Sequence, residues 1–520
     1  MDWSKWRGIL FILICIWTII LVVCNAEYCK KTVHFDELFS YGSANTPYKF
    51  DAMVGDREWK NSKDMFNDYL SVDLEDRFNY QMVWENQSKD VHPPLYYAVI
   101  HTISSLMPGI FTMWVAVGIN LFFMILTLPA IYLLSKQLFA NDKLALVICF
   151  CFITSSLTIS VTMFMRMYVM LLCITTWLTY FHIKWLDAKR RKWLLAIFFT
   201  TLVGSLTHYY FLIFLFFLAI GNCFILFINK NYKDIIFYCV SMGIAGVLFV
   251  LSYPASLRHM FHEYRGEEAF SNIKTFENYS GTLLNYLSQL GSEMFRVRWG
   301  FVAVIAVIVV AKVVLYIMGR QGVFFGDVEA RKERKYFVLM VFTVIGHFLV
   351  VTKISTLQQI RYLSPIFPLI YLLLIGSSYL MLHNMRNSNI LFLIFLIGSL
   401  CLFNWKSWRN DNIPEETKIA KEYAGYNCLV MGGKADWTQG YHALNNYYQL
   451  IEFEQIYFIS LPYENDFLDE EMLKESELIV YLDDEDDIED DKELLLNTIP
   501  NMSKLDFLYN ASGAKAYLLH

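Results

Sequence analysis

Residues 8–24 read GILFILICIWTIILVVC, an apolar run with Lys5 and Arg7 just before it. A helix needs about 20 apolar residues to cross the hydrocarbon core of a bilayer, so this run predicts a membrane-spanning helix. The run leads to no small-x-small cleavage site and many similar runs follow, which favours an anchored first helix over a cleaved signal peptide. Apolar residues make up 56% of the 520-residue chain and charged residues 18%, as is typical of multi-pass membrane proteins.

Lys and Arg concentrate in short segments between the apolar runs, a bias that marks cytoplasmic loops. The clusters are Lys5/Arg7, Lys136/Lys143, Lys189–Lys192, Lys230/Lys233, Arg331–Lys335 and Arg386. About eleven runs are predicted to span the membrane: 8–24, 111–134, 144–162, 168–186, 193–207, 209–228, 235–253, 299–318, 336–352, 362–382 and 390–404. With every cluster in the cytoplasm, the N-terminus is cytoplasmic and the C-terminal tail is extracytoplasmic.

The stretch SKDVHPPLYYAVIH, residues 88–101, places two prolines between a histidine and an apolar segment. Residues 94–108 are apolar but too short to span, and counting them as a span would invert every later loop. They predict a helix lying at the outer interface, begun by the prolines at its first turn. His92 is therefore expected on the outer face, where the first outer loop meets the membrane.

Polar residues from separate segments share this predicted outer face: Asp36, Glu37, His92, Arg166, His208 and Arg361. An arginine at the centre of a span costs about 2.5–3.5 kcal/mol, and less at its edge, so each needs a partner. Taken singly, the arginines could snorkel to the interface, His208 could be an interfacial histidine, and the acidic pair could begin a loop helix. Their shared face favours a site for an anionic lipid headgroup.

Two long outer loops, 25–110 and 254–298, flank this predicted site, and long structured loops are usually lids or binding loops. Residues 405–520 change to the composition of a soluble domain. NCLVMGG, EQIYFIS and ELIVYLDD predict strands, DWTQGYHALNNYYQL predicts a helix, and KLDFLYNASGAKAYLLH predicts a hairpin around Ser512-Gly513. The acidic run at 483–491 lacks the spaced ligands of a calcium loop, which favours a solvated loop.

Five motifs carry a resemblance to a known family: HFDELFSY, HPPLYYAVIH, RMYVMLL, THYYFLIF and RYLSPIFPLIYLLL. Together they resemble GT-C fold glycosyltransferases, most closely the bacterial relatives of protein O-mannosyltransferases and of lipid A aminoarabinose transferases. The resemblance covers residues 1 to about 400. It implies a GT-C type fold for residues 1–404, the polytopic α-helical membrane part that the apolar runs predict to have about eleven transmembrane helices. Residues 405–520 are predicted from their own composition and pattern to form a small extracytoplasmic α/β domain.

The resemblance also implies the substrate and two of the residues that handle it. The donor is a polyprenyl-phosphate-linked sugar held with its lipid among the helices, Asp36 occupies the place of the catalytic acidic residue, and His92 matches a basic residue near the donor phosphate. The substrate-binding residues are expected to be His92, Arg166, Tyr168, His208, Tyr209, Arg361 and Tyr362. Arg166-Met167-Tyr168 stand where many members carry an acidic residue, which favours cations over a metal, although a divalent cation stays open. No nucleic-acid partner is expected.

The expected reaction is displacement at the anomeric carbon with polyprenyl phosphate leaving. A carboxylate must take the proton of the acceptor hydroxyl, and Asp36 is the predicted general base, with Glu37 as orienter or second candidate. Fixed cations stabilise the charge of the leaving phosphate, and an arginine fork suits its oxygens best. A single displacement inverts the anomeric configuration.

Two functions of other classes compete with sugar transfer. A lipid or glycan transporter, or flippase, would also use many spans, but such proteins usually have pseudo-symmetric halves and midplane charges. A binding or assembly protein anchored by its spans ranks last, because so many spans exceed what an anchor needs. The sequence does not specify the sugar, and the acceptor could be a protein, a cell-wall polymer, a glycolipid or a polysaccharide.

Overall fold

The computed structural model of the chain describes residues 3–47, 58–317, 331–382, 388–402, 413–434, 437–461, 477–484, 488–499 and 502–520. The chain divides into two compact units. The first, here the helical unit, contains residues 1–30, 87–96 and 116–410. The second, here the sheet unit, contains residues 31–86, 97–115 and 411–520. Arg386 and the start of the predicted tail, 405–412, lie outside the described residues.

From the N-terminus to the second outer loop, the described helices and the first strand are α1 (Trp3–Tyr28), α2 (Phe35–Asn45), β1 (Lys60–Asn61), α3 (Ser62–Leu70), α4 (Tyr80–Ser88), α5 (Leu95–Ser104), α6 (Trp114–Phe139), α7 (Asp142–Ile153), α8 (Ser156–Met163), α9 (Tyr168–Ala188), α10 (Arg191–Ser205), α11 (Tyr210–Ile228), α12 (Tyr232–Ser252), α13 (Ala255–Phe261), α14 (Tyr264–Lys274) and α15 (Tyr279–Phe295). The remaining elements are α16 (Gly300–Ile317), α17 (Arg331–Ile354), the 3-10 helix η1 (Ile360–Ile366), α18 (Phe367–Leu382), α19 (Ser388–Leu402), α20 (Glu415–Glu422), β2 (Cys428–Lys434), α21 (Trp437–Asn445), α22 (Tyr447–Leu450), β3 (Gln455–Leu461), β4 (Leu478–Asp483), α23 (Ile488–Thr498), β5 (Leu505–Ala511) and β6 (Ala514–Leu519).

Among the described residues, 7 helices are long and apolar enough to cross a membrane, or up to 9 if each of two bent pairs counts as one span. The bent pairs are α7 with α8, at 57°, and α15 with α16, at 87°. The chain is therefore a multi-pass helical membrane protein by the length and composition of its helices. The predicted number of about eleven spans is not confirmed.

Fewer helices than the predicted eleven can span a membrane because some are too short and one predicted run is broken. Within the described residues, the predicted runs coincide largely with helices, but α10 and α19 each have 15 residues. Such a helix is about 22 Å long and falls short of the roughly 30 Å hydrocarbon core. The predicted run 144–162 is broken near Ser155 into α7 and α8, where polar Thr154, Ser155 and Ser156 interrupt the apolar pattern.

The segment after the two prolines forms α5, which has 10 residues. At about 15 Å it is too short to span, as predicted. Both prolines immediately precede the helix, where a missing backbone N–H costs nothing. The predicted reason for the corner, the start of a short helix, is confirmed.

The sheet unit contains a six-stranded sheet in the order β1-β3-β2-β4-β6-β5. β2 runs parallel to both β3 and β4, and the remaining pairs are antiparallel. The predicted strands and closing hairpin of the tail are confirmed, with Gly513 in the turn at φ +70°. The predicted single helix is two shorter helices, α21 and α22. One face of the sheet packs on α23 through Leu429, Val480, Leu495 and Leu519.

Two features of the sheet unit differ from the sequence analysis. Residues 31–86 and 97–115, predicted to belong to the first domain, form one compact unit with the tail, partly because β1 pairs with β3 through Lys60 and Ile456. The acidic run at 483–491 is predicted to be a solvated loop, and its residues 485–487 lie outside the described part of the chain. Its last four residues begin α23 at Ile488 and place three acidic residues in the first turn of that helix. Acidic side chains at a helix N-terminus are favourable because they face its positive dipole end.

Candidate functional site

The corner at residues 88–94 is fixed to the helical unit through the backbone. Leu95 N–H, the first one after the two prolines, donates to the carbonyl oxygen of Leu206 at 3.0 Å. Leu206 directly follows α10 and lies two residues before His208. One backbone hydrogen bond therefore ties two of the predicted site segments together.

His92 lies between Asp90 and Arg166. Its Nδ1 is 2.9 Å from Asp90 Oδ2, and its Nε2 is 3.2 Å from Arg166 Nη2. A guanidinium nitrogen can only donate, so Nε2 accepts in this contact and Nδ1–H donates to Asp90. The carboxylate thereby sets the tautomer of His92, and His92 orients the guanidinium of Arg166.

Asp90 is a negative group in a mostly covered position, with 17% of its side chain exposed. Burial by itself would raise the pKa of this carboxyl. The interactions with His92 and the charge of Arg166 outweigh it and hold the pKa of Asp90 below its ordinary value of 3.8. Asp90 is therefore ionised at neutral pH.

His208 stands beside the first histidine. The ring centroids of His92 and His208 are 6.0 Å apart, and those of Tyr168 and His208 are 5.8 Å apart. His208 Nδ1 accepts the backbone N–H of Tyr210 at 3.0 Å, which leaves Nε2–H as a donor. Burial lowers the pKa of His208 well below 6.5 and the charge of Arg166 adds to this, so His208 is a neutral donor rather than a fixed cation.

Arg361 belongs to η1 and is 6% exposed. Its guanidinium carbon lies 4.5 Å from the ring centroid of Phe164, 5.7 Å from that of Tyr362 and 5.9 Å from that of Tyr168. Cation–π contacts of this kind are worth roughly 0.5–2 kcal/mol and leave the positive charge in place. Three rings thus orient the guanidinium of Arg361.

We define the basic cluster as the predicted site residues that these contacts connect: His92, Arg166, Tyr168, His208, Arg361 and Tyr362. The cluster contains two guanidinium groups, and the carboxylate of Asp90 contacts it through His92. Buried guanidinium, imidazole and phenol donors suit an anion with several oxygens, and phosphate above all. The set does not suit a divalent cation, because two guanidinium groups repel one. Among the described residues, no group of three His, Cys, Asp or Glu could hold a metal ion.

The second outer loop holds the backbone of the corner. Arg258 and His259 of α13 both donate to the carbonyl oxygen of Ser88, His259 at 3.1 Å. Tyr253, just before α13, donates to the carbonyl oxygen of His92 at 3.3 Å. The predicted site residue Tyr209 contributes here instead of in the basic cluster, because its hydroxyl donates to His259 Nδ1 at 2.9 Å.

Asp36 and Glu37 lie in the sheet unit, in the first turn of α2. The Glu37 carboxylate accepts the backbone N–H of His34 at 2.6 Å and completes a capping box, the ordinary helix-start arrangement. Asp36 Oδ2 is 3.6 Å from His34 Nδ1 and the Asp36 side chain is 21% exposed. The Glu37 carboxylate therefore caps the helix, and the Asp36 carboxylate lies beside the ring of His34.

The tail supports the start of α2 within the sheet unit. The backbone N–H of Val33 donates to the hydroxyl of Tyr448 at 2.6 Å, and the rings of Phe35 and Tyr441 meet edge-on with centroids 4.8 Å apart. Residues from the last quarter of the chain therefore fix the backbone on either side of His34. This gives the tail a structural connection to Asp36 that its sequence did not indicate.

Sequence reasoning missed Asp90, His259 and Tyr253. A signal existed for Asp90, because it lies two residues before the histidine of the His-Pro-Pro corner, within reach of that ring. No signal existed for His259 or Tyr253, since both act on backbone carbonyls of a segment about 165 residues earlier in the chain.

Comparison with known proteins does not indicate a function, so the class of ligand is inferred from the side chains of the site. What the basic cluster can bind follows from its own side chains, which are donors and cations suited to an anion. No protein-family model matches this chain, and no curated protein matches it significantly.

Proposed function

We propose that this chain is a membrane glycosyltransferase that moves a sugar from a polyprenyl-phosphate-linked donor to an acceptor hydroxyl at the outer face of the membrane. The observation that carries the proposal is the basic cluster, in which residues from four sequence motifs meet with Arg166 and Arg361 buried. A phosphate attached to a membrane lipid is the anion expected among apolar helices. The resemblance of the same motifs to GT-C glycosyltransferases points to a sugar as the transferred group.

The chemistry assigns separate roles to the charged groups. As the anomeric C–O bond to phosphate breaks, the electron pair goes to the phosphate oxygen, and Arg166 and Arg361 stabilise the added charge. His92 orients Arg166, and His208 Nε2–H offers a neutral hydrogen bond. In this proposal Asp36 takes the proton of the acceptor hydroxyl as the new C–O bond forms, with inversion at the anomeric carbon. A divalent cation is not required by this scheme.

The test of transfer is incubation of the purified full chain with a polyprenyl-phosphate sugar and an extract of cell-envelope acceptors, with release of polyprenyl phosphate as the readout. Asp36→Asn is expected to lower release by roughly 10²–10⁴-fold, the range for general base catalysis. Asp73→Asn is the matched control, because Asp73 is an exposed carboxylate of the same outer loop. Full release by a folded Asp36→Asn variant would remove Asp36 as the base.

A lipid or glycan transporter is the second candidate, and the two bent helix pairs favour it. Broken helices that place polar groups inside a bundle are typical of transporters. Here Glu293, at the end of α15, contacts the hydroxyl of Ser156 at the start of α8 at 3.3 Å. Movement of a lipid-linked sugar between leaflets of a vesicle, without release of polyprenyl phosphate, would support the transporter and overturn the transferase.

A further inference from the structure

A second set of cations lies in the helical unit, away from the basic cluster. Arg7 at the start of α1, Lys136 near the end of α6 and Lys184 near the end of α9 line a cleft of about 590 Å³. A cleft of this size accommodates a lipid headgroup or another small ligand. None of these residues takes part in the chemistry proposed above.

The cleft lies at the end of α9 opposite the basic cluster. Lys184 follows Tyr168 by 16 positions, which corresponds to about 24 Å along the helix. All three helices that carry the cations are candidate membrane spans, so their ends lie near a membrane surface. The cleft therefore opens at the level of lipid headgroups on the side where lysine and arginine accumulate.

The charges of the cleft do not cancel. Arg7 Nη1 binds Asp142 Oδ2 at 2.9 Å and Lys136 Nζ binds Asp142 Oδ1 at 3.0 Å. Lys184 Nζ donates to the neutral amide oxygen of Gln137 at 2.5 Å, and among the described residues no carboxylate lies within salt-bridge distance of it. Three cations against one carboxylate leave a formal charge of about +2 facing the cleft.

The remaining walls suit the region between headgroup and hydrocarbon. Tyr132 and Tyr180 line the cleft, and the Lys184 ammonium lies 5.5 Å from the ring centroid of Tyr180. Tyrosine is enriched at membrane interfaces, where its ring contacts hydrocarbon and its hydroxyl stays in water. Basic pockets between transmembrane helices on the cytoplasmic side bind anionic lipid headgroups.

We propose that the cleft formed by Arg7, Lys136 and Lys184 binds the phosphate of an anionic phospholipid of the leaflet opposite the basic cluster. Arg7 and Lys136, already oriented by Asp142, and Lys184, oriented by Gln137, donate to the phosphate oxygens. The acyl chains continue along the apolar surfaces of the three helices. This proposal is independent of sugar transfer and holds for a transferase or a transporter.

The test measures lipid retention by the purified full chain in detergent, using native mass spectrometry. Phosphatidylglycerol, phosphatidic acid and phosphatidylcholine are added in separate arms, and inorganic phosphate is added as a competitor in a fourth. Wild-type protein is expected to retain the two anionic lipids at lower concentration than phosphatidylcholine. Each cation near an anionic surface is worth about fivefold in binding, so Lys184→Gln should weaken retention about fivefold.

Lys184→Gln is the principal variant because it leaves no carboxylate unpaired, and Arg7→Gln is the second. Lys233→Gln is the matched control, since Lys233 is an exposed lysine at the start of α12 and does not line the cleft. Equal retention of phosphatidylcholine and phosphatidylglycerol, or wild-type retention by both cleft variants, would overturn the proposal. Displacement of the lipid by millimolar inorganic phosphate would overturn the assignment to a lipid, because the cleft would then select free phosphate.

Discussion

The two ends of α9 hold positive charge in different ways. At the Tyr168 end, Arg361 is 6% exposed and packs against aromatic rings. At the Lys184 end, the side chain of Lys136 is 44% exposed and binds a carboxylate. An aromatic ring orients a buried cation through its face, whereas a carboxylate pairs with the cation directly.

The carboxylates of the two regions, Asp90 and Asp142, also differ in their partners. Asp90 accepts from His92 and sets its tautomer, so it acts on Arg166 through an intermediate ring. Asp142 binds Arg7 and Lys136 directly. The first arrangement suits a site in which buried charge must meet a substrate. The second suits a structural junction of helix ends that retains a moderate charge for a lipid.

The largest of these expected effects is a difference in activity between variants at the two ends of α9. Arg361→Gln should lower the release of polyprenyl phosphate by roughly 10²–10³-fold, because a buried donor to the leaving phosphate is lost. Arg361→Lys keeps the charge but loses the fork, and is expected to fall between this variant and wild type. Lys184→Gln should leave the initial rate unchanged.

Arg191→Gln is the control for that measurement, since Arg191 is an exposed arginine at the start of α10. A wild-type rate in the Arg361→Gln protein would mean that Arg361 only extends its charged group to the membrane interface and takes no part in the reaction.

The second expected effect is the contribution of Asp142 to the stability of the fold. Asp142 accepts from Arg7, Lys136 and the hydroxyl of Tyr132, the last at 2.5 Å. Asp142→Asn is expected to lower the free energy of unfolding by about 1.5–3 kcal/mol, the range for hydrogen bonds to a charged group. Thermal unfolding in one detergent, with Asp73→Asn as control, measures it. An unchanged midpoint would show that Asp142 does not organise these helix ends.

The third expected effect is a dependence of stability on pH through His208. The pKa of His208 in the folded protein lies well below its ordinary value of 6.5, so the unfolded chain binds the proton more readily. Stability attributed to neutral His208 is present above pH 6.5 and is lost as the pH falls below it, by about 1–2 kcal/mol between pH 7 and pH 5. His208→Gln should reduce this loss, while the exposed control His262→Gln should not. Identical pH profiles for wild type and His208→Gln would contradict the burial of a neutral imidazole.

The smallest expected effect tests positioning by Asp90. Asp90→Asn should lower the transfer rate about tenfold, because an amide sets the tautomer of His92 less firmly than a carboxylate. Since the pKa of Asp90 is depressed below 3.8, its contribution is present at neutral pH and is lost only as the pH falls below that value. The ratio of wild-type to variant rates should therefore stay constant between pH 5 and pH 8. A ratio that changes within that window would assign the titration to another group.

The sequence predicted the parts of this protein that depend on local pattern. Within the described residues, the apolar runs coincide largely with helices, the two prolines begin a short helix, and the tail has the predicted strands and hairpin. His92, Arg166, His208 and Arg361 were predicted together with Asp36 and Glu37, because their segments share one predicted face of the membrane. The structure connects the first four, whereas Asp36 and Glu37 lie in the sheet unit.

The parts that depend on distant pairing could not be predicted. The two-residue strand β1 has no pattern of its own and exists because it pairs with β3, about 395 residues later. Tyr209 was expected in the substrate site because it follows His208, but its hydroxyl meets His259 of the second outer loop. The residues next to Tyr209 in the sequence predict that it lies at a helix end. Its hydrogen-bond partner, however, depends on tertiary packing.

The contacts of Ser88 also decide where an epitope tag can be inserted on the predicted outer side. An insertion within α13 would pull Arg258 and His259 off the corner and disturb His92 through its backbone. Residues 273–278 are exposed, Phe276 by 76%, and exposed loop tips tolerate added chain best. A tag placed there reports on sidedness in intact cells while leaving the corner in its folded geometry.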